Sequence, residues 1–438
     1  MDRLKSRLKD KSLPLAKELK NFIRGNANVK IGEVTAGQVF GGMRGVKSLI
    51  TETSQLDAME GIRFRGYSIP QLKKYLPKAD GCTEPLPEGI FYLMLTGELP
   101  SKDDVTWLSA EWAVRSGVPQ HVFDTLDALP TTIHPMTQFS TAILAMQSES
   151  IFAREYRKGV SKLAYWEAMY EDAMNLIARL PRVAAYIYRR TFHNGNHIEP
   201  DFNLDWAGNF AHMLGIDSPD FKSLMRLYLT IHADHEGGNA SAHATHLTGS
   251  TLSDAYYSLS SGMNALAGPL HGLANQEVIR WVLKMRVELD KGRPSLEEIE
   301  SFIRQTLDEG KVIPGYGHAV LRRPDPRFTA QMEFAKQYFP DDELVNVIWD
   351  IFEVAPKVLG EKIKIKSPWP NVDAHSGATL MHYGLTEYDF YTVLFGVSRA
   401  LGVLSSLCWD RALGLPIERP KSVTVSMLKD LVKANKEA

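Results

Sequence analysis

Apolar residues return every third or fourth position along most of this 438-residue chain, and two-residue alternation is scarce. That pattern predicts amphipathic helices packed on one another and leaves little room for sheet. Stop and start residues punctuate it. Ser101 with Asp104, and Ser295 with Glu298, have the spacing of capping boxes, and Gly310 falls just past the end of the helix that Ser295 opens. Further helices are expected over 135–149, 165–193, 219–235, 254–268, 273–290, 326–338, 342–359, 386–413 and 423–435. Extended pieces are expected only near Val29–Val34 and within Gly41–Tyr67, where glycines and β-branched residues mix.

A chain of this length with 44% hydrophobic residues can bury a large core and divide into two or three domains. No repeat, low-complexity tract or Pro/Ser-rich linker separates them, so they must pack closely and meet at tight loops; the glycine-flanked stretches near 268–272 and 377–384 are the candidate hinges. Fifty Lys+Arg against 52 Asp+Glu give a net charge of -2, so nothing in the balance suggests a nucleic-acid scaffold, and any polyanionic ligand must be met by a local basic cluster. Cys82 and Cys408 form no CxxC pattern, as in a fold built for a reducing compartment. The most apolar stretch, Tyr391 to Trp409, carries Arg399 at its middle and reads as a buried helix, not a membrane span. Residues 1–25 are basic and roughly amphipathic, but Asp2, Asp10 and Glu18 suit a mature helix better than a targeting presequence.

Four segments carry chemistry. Histidines 232, 235, 243 and 246 crowd around Gly237-Gly238. Two HxxH pairs raise the question of zinc, yet no cysteine joins them and no HExxH occurs. The alternative is a glycine break that lets a ligand approach, with His235 as a donor and the other histidines satisfied in the core. His271 sits between a Gly-Pro turn and an expected helix start, where amide dipoles would keep its imidazole neutral and able to donate to a carbonyl becoming an enolate. The loop Val312-Ile-Pro314-Gly315-Tyr316-Gly317-His318 precedes Arg322, Arg323 and Arg327, whose guanidinium forks suit carboxylate or phosphate unless they belong to a plain basic surface loop. Lys364 and Lys366 precede a Pro-Trp-Pro stretch that ends at Asp373, which fits either a helix N-cap or a general base.

Taken in order, GGMRG at 41–45, EGIRFRGYSIP at 60–70, LTIHADHEGGN at 229–239, GPLHGLANQEV at 268–278, VIPGYGHAVLR at 312–322, PWPNVDAHSG at 368–377, FGVSRALGV at 395–403 and ERPKS at 418–422 resemble citrate synthase from about Gly41 to Ser422. The wording is similar to the dimeric mitochondrial branch. The resemblance implies a mainly α, two-domain fold: a large domain from 1–272 and 383–438, and a small domain, 273–382, that closes over the active site. It implies condensation of oxaloacetate with acetyl-CoA to citrate, with Asp373 as base, His271 on the thioester oxygen and His318 on the keto group. His235, Arg327 and Arg399 would hold substrate carboxylates, with Arg419 entering from the partner of a homodimer. Arg44, Pro314, Gly315, Tyr316, Gly317, Arg322, Lys364 and Lys366 would bind CoA, as would Lys162 across the dimer, where the family usually has Arg. Ala378-Thr379 also departs from the expected aliphatic pair. Neither cofactor, metal, nucleic acid nor membrane is implied, and the expected compartment is the mitochondrial matrix with the presequence absent from this chain. The readings set against this one are 2-methylcitrate synthase using propionyl-CoA, a non-catalytic filament protein on the same fold, and a zinc hydrolase.

Overall fold

The computed structural model describes residues 2–318, 320–363 and 367–437. Its centre is the helix Tyr391–Leu413, in which every residue but Ser406 is buried. That helix is the one described element long and apolar enough to cross a membrane, with mean hydropathy 1.4, but 94% of its apolar window is covered by protein, so it is the core helix. Around it pack Arg3–Asn26, Pro87–Thr96, Tyr165–Phe192, Pro219–Ile231, Ala240–Ser250 and Ala255–Leu266. Gly414, with φ +68°, ends it in the left-handed conformation that glycine adopts without steric cost.

The helices Ala274–Glu288, Leu296–Asp308, Pro326–Tyr338, Glu343–Lys362 and Asp373–His382 pack chiefly on one another. Both expected capping boxes are present: Ser101 and Asp104, like Ser295 and Glu298, exchange side-chain-to-backbone hydrogen bonds. The departures in length fall at helix ends: the helix expected over 386–413 begins only at Tyr391, after a 3-10 turn at Tyr388–Phe390, and the helix from 219 stops at Ile231 instead of running to 235. The chain instead turns through His232–Asn239 to deliver His235, and Glu236 adopts φ +56°.

Strand structure is confined, among the described residues, to one three-stranded antiparallel sheet: Ser54–Asp57, Gly61–Phe64 and Tyr67–Ser68, in that order. Ser54 pairs with Phe64 and Asp57 with Gly61 across the first hairpin. The expected extended piece at Val29–Val34 is not a strand; it has no neighbour with which to pair its backbone and lies exposed.

Candidate active site

Two backbone segments are zipped together to build one wall. Gly317 N–H donates to Trp369 O (3.0 Å), Asn371 N–H to Gly315 O (2.9 Å) and Asp325 N–H to Pro370 O (3.1 Å). This fixes the loop bearing His318 beside the start of the helix bearing Asp373. Gly315 is needed for the approach: a Cβ there would lie 2.8 Å from Val278 Cγ2 and 2.9 Å from Ala374 Cα, at a φ of +79°. Tyr316, within the same loop, has a buried hydroxyl whose pKa burial pushes upward.

Three predicted histidines converge on this wall. The His235 and His318 rings sit 5.3 Å apart, edge to face. Burial depresses the His235 pKa well below the ordinary imidazole value, and the neighbouring Arg327, His318, Arg399 and His271 depress it further. Its Nε2 is buried with no protein partner. His318 is brought down to about 4 by burial and then by Arg327. Its Nδ1 accepts from the N–H groups of Val320 and Leu321, both at 3.0 Å, so the single proton of the neutral ring sits on Nε2.

His271 is also held near 4, by burial first and Arg399 second. The expected cause, amides of the helix that follows it, is not what operates: that helix begins only at Ala274, and His271 lies in the preceding turn. The amide that meets it belongs to another helix. Ser241 N–H, in the first turn of Ala240–Ser250, donates to His271 Nε2 at 3.2 Å, which leaves the proton on Nδ1. The His318 and His271 rings therefore each have one nitrogen committed to backbone and one N–H available to a ligand.

Asp373 is the first residue of its helix but not its cap; Val372 occupies that position, and Asn371 Oδ1 takes the Asp373 N–H. Its carboxyl is buried, Oδ1 has no partner, and burial raises its pKa to about 7 against the opposing pull of Arg327. The two arginines are braced differently. Arg327 is paired bidentately with Asp325 through Nε (3.0 Å) and Nη2 (2.7 Å). Arg399 donates to His232 O, Asn239 Oδ1 and Ser241 Oγ, lies over the Phe395 ring at 4.8 Å, and has a pKa drawn down by burial to about 10. Neutral imidazoles, two guanidiniums and one carboxyl that titrates near neutrality suit an acidic small substrate and proton transfer at carbon.

The remaining candidates lie elsewhere. Arg44 and Lys162 are exposed, as is Arg419 on the tail beyond the core helix. The Arg322 guanidinium turns back on the Val320 and Leu321 carbonyls, and its backbone N–H donates to Ala58 O. Lys364 and Lys366 lie outside the described residues. His243 and His246 face Glu418 and Asp410, and among the described residues no cluster of His, Cys, Asp or Glu has the geometry to hold a metal. Asp325, Asn239 and Ser241 escaped the sequence reading. Asp325 had a signal, an acid just before proline at a helix start and two residues from Arg327, whereas Ser241 becomes relevant only when the fold brings residue 271 to it.

Fold and site together define a mainly α protein that gathers neutral histidines, two buried arginines and a buried carboxyl in one centre. Its family is unambiguous: residues 42–421 match the family model described as "Citrate synthase, C-terminal domain", and the chain belongs to the citrate synthase family. It is 58% identical over 415 residues to "Probable citrate synthase, mitochondrial" of Glossina morsitans morsitans, covering 94% of this chain and 89% of that one. It is 55% identical over 427 residues to "Citrate synthase, mitochondrial" of Daucus carota, covering 98% and 90% respectively. These relatives are mitochondrial proteins by name, and the chain groups with them. Among solved structures, citrate synthase from Pyrobaculum aerophilum superposes with a TM-score of 0.76 at 27% identity, covering 91% of this chain and 95% of that one. The Thermotoga maritima enzyme, at 24% identity, shares the fold with a TM-score of 0.72, covering 88% and 95%.

Proposed function

We infer that this chain is a citrate synthase that condenses oxaloacetate with acetyl-CoA and water to give citrate and CoA, with Asp373, His271 and His318 as its catalytic groups. The reaction follows from the family; the observation that carries the residue roles is the buried, unpartnered Asp373 carboxyl with a pKa near 7, beside histidines of fixed tautomer. Asp373 removes a proton from the acetyl-CoA methyl. As charge develops on the thioester oxygen, His271 Nδ1–H donates to it, so an enol forms without a free carbanion. His318 Nε2–H donates to the keto oxygen of oxaloacetate, the enol carbon attacks the carbon so polarised while the oxygen takes the proton, and water then cleaves citryl-CoA to citrate and CoA. His235, Arg327 and Arg399 hold the two substrate carboxylates.

The mutual packing of the helices between 274 and 382 supports a small domain of about 273–382 against a large one from 1–272 and 383–438, closing over bound oxaloacetate. The working unit is a homodimer in the mitochondrial matrix. Exposed apolar residues on both arms, among them Ile31 and Phe40 before the core and Ile417 and Val425 after it, support an interface there. Arg419 enters the partner's site. Arg44, Arg322, Lys364, Lys366 and the 314–317 loop bind CoA, with Lys162 reaching it across the dimer.

Thiol release from acetyl-CoA and from propionyl-CoA, each with and without oxaloacetate, tests this reading. Release should depend on oxaloacetate, favour acetyl-CoA, and fall on the order of 10²- to 10⁴-fold in Asp373→Ala. Release that persists without oxaloacetate, or an undiminished mutant, would overturn it.

A further inference from the structure

Next to His235 in the same turn lies Asp234, 2% exposed. Its Oδ1 accepts the N–H of His235 at 2.9 Å. Its Oδ2 accepts two hydroxyls from the first strand region, Thr53 Oγ1 at 2.6 Å and Ser54 Oγ at 2.8 Å. Ser54 Oγ in turn accepts the N–H of Glu236 at 2.9 Å, so carboxylate and hydroxyl together grip the turn on both sides of His235. The turn needs a grip, since Glu236 is held at φ +56°, a conformation that is unfavourable for a non-glycine residue.

The same carboxylate lies against the core helix. Gly402, three residues beyond Arg399, has its Cα pressed to Asp234; a Cβ there would fall 2.6 Å from Asp234 Cβ and 2.8 Å from its Cγ. Gly402 N–H also donates to Ala233 O. Asp234 thereby sits beside Arg399, whose pKa it supports against the cost of burial. Arg399 and Arg327 lie in one buried centre, and of the two only Arg327 has a carboxylate bonded to its guanidinium. Asp234 supplies the second negative charge at a distance, leaving Arg399 able to receive a substrate carboxylate.

We propose that Asp234, clamped by the hydroxyls of Thr53 and Ser54, is a positioning residue for oxaloacetate binding: it fixes the backbone turn that aims His235 and balances the charge of Arg399. The N-terminal hairpin is then part of the substrate site without touching substrate. This rests on the proposed roles of His235 and Arg399.

The test compares Asp234→Asn, Ser54→Ala and His235→Asn in the full-length dimer, reading KM for each substrate, kcat, oxaloacetate affinity by calorimetry and the thermal midpoint. Asp234→Asn should raise KM and Kd for oxaloacetate about tenfold, with KM for acetyl-CoA changed less than about twofold. Ser54→Ala, which keeps the charge and removes one clamp, should shift oxaloacetate in the same direction by a smaller factor and guard against failure of the first variant to fold. Equal losses for both substrates, or a lowered thermal midpoint with unchanged oxaloacetate affinity, would overturn the inference by reducing Asp234 to a structural residue. A raised oxaloacetate KM in His235→Asn alone would overturn it while sparing the assigned substrate site. Unchanged oxaloacetate binding in all three would overturn both.

Discussion

At the scale of single residues, the site works by separating groups that can share a proton from groups that cannot. Burial pushes Asp373 up to about 7 and brings His271 and His318 down to about 4, so at neutral pH a carboxylate base coexists with uncharged imidazole donors. The base works deprotonated. kcat/KM for acetyl-CoA should therefore rise about tenfold per pH unit below 7 and flatten above it, because this quantity reports ionisations of the free enzyme. A profile flat from about pH 5.5 to 8.5 would exclude Asp373 as the titrating base. The residue types were legible in the sequence: each histidine stood in a glycine-rich segment and the aspartate followed a rigid Pro-Trp-Pro. The tautomers were not, since they depend on N–H groups supplied by Ser241, Val320 and Leu321 in the folded chain.

Among elements, the decisive contact is the close antiparallel pair Ala240–Ser250 and Ala255–Leu266. Gly262 permits it: a Cβ there would come within 2.0 Å of Thr245 Oγ1 and 2.9 Å of Ser241 O. Since Ser241 also holds His271 and Arg399, the spacing of these helices is transmitted to the site. Gly262→Ala should lower stability by about 1–3 kcal/mol and reduce kcat, and adding Thr245→Ala should recover part of both; chemical denaturation and thiol-release rates measure this. Most of the long helices were readable from periodicity and caps, whereas Pro87–Thr96 and Ala240–Ser250 were not among those expected, nor were the helix ends near the site. Nothing local marks Ile231 as a terminus; the chain leaves the helix there so that Asp234, Thr53 and Ser54 can hold the turn carrying His235.

For the whole molecule, the tail beyond the core helix is the feature that a single chain does not explain. Glu418 is anchored by His243 Nε2 at 2.9 Å and by its own N–H to Ser250 Oγ at 3.0 Å, while the adjacent Arg419 points into solvent. If Arg419 serves the partner's site, Arg419→Ala and Asp373→Ala homodimers should each be nearly inactive. Dimers reassembled from a mixture of the two should regain activity, because each mixed dimer carries one site with both residues intact. No recovery, with mixed dimers verified by mass, would place Arg419 outside the active site.

The sequence by itself determined the helical class, the capping boxes, the buried character of Tyr391–Leu413 and the ordered motifs that assign the family, because periodicity, caps and motif order are properties of neighbours along the chain. Tertiary structure alone decided which groups are neutral, which nitrogen of His271 and of His318 carries the proton, and which acid lies beside Arg399. Those depend on desolvation and on hydrogen bonds between residues as far apart as Thr53, Asp234 and Arg399, a proximity that no local pattern encodes.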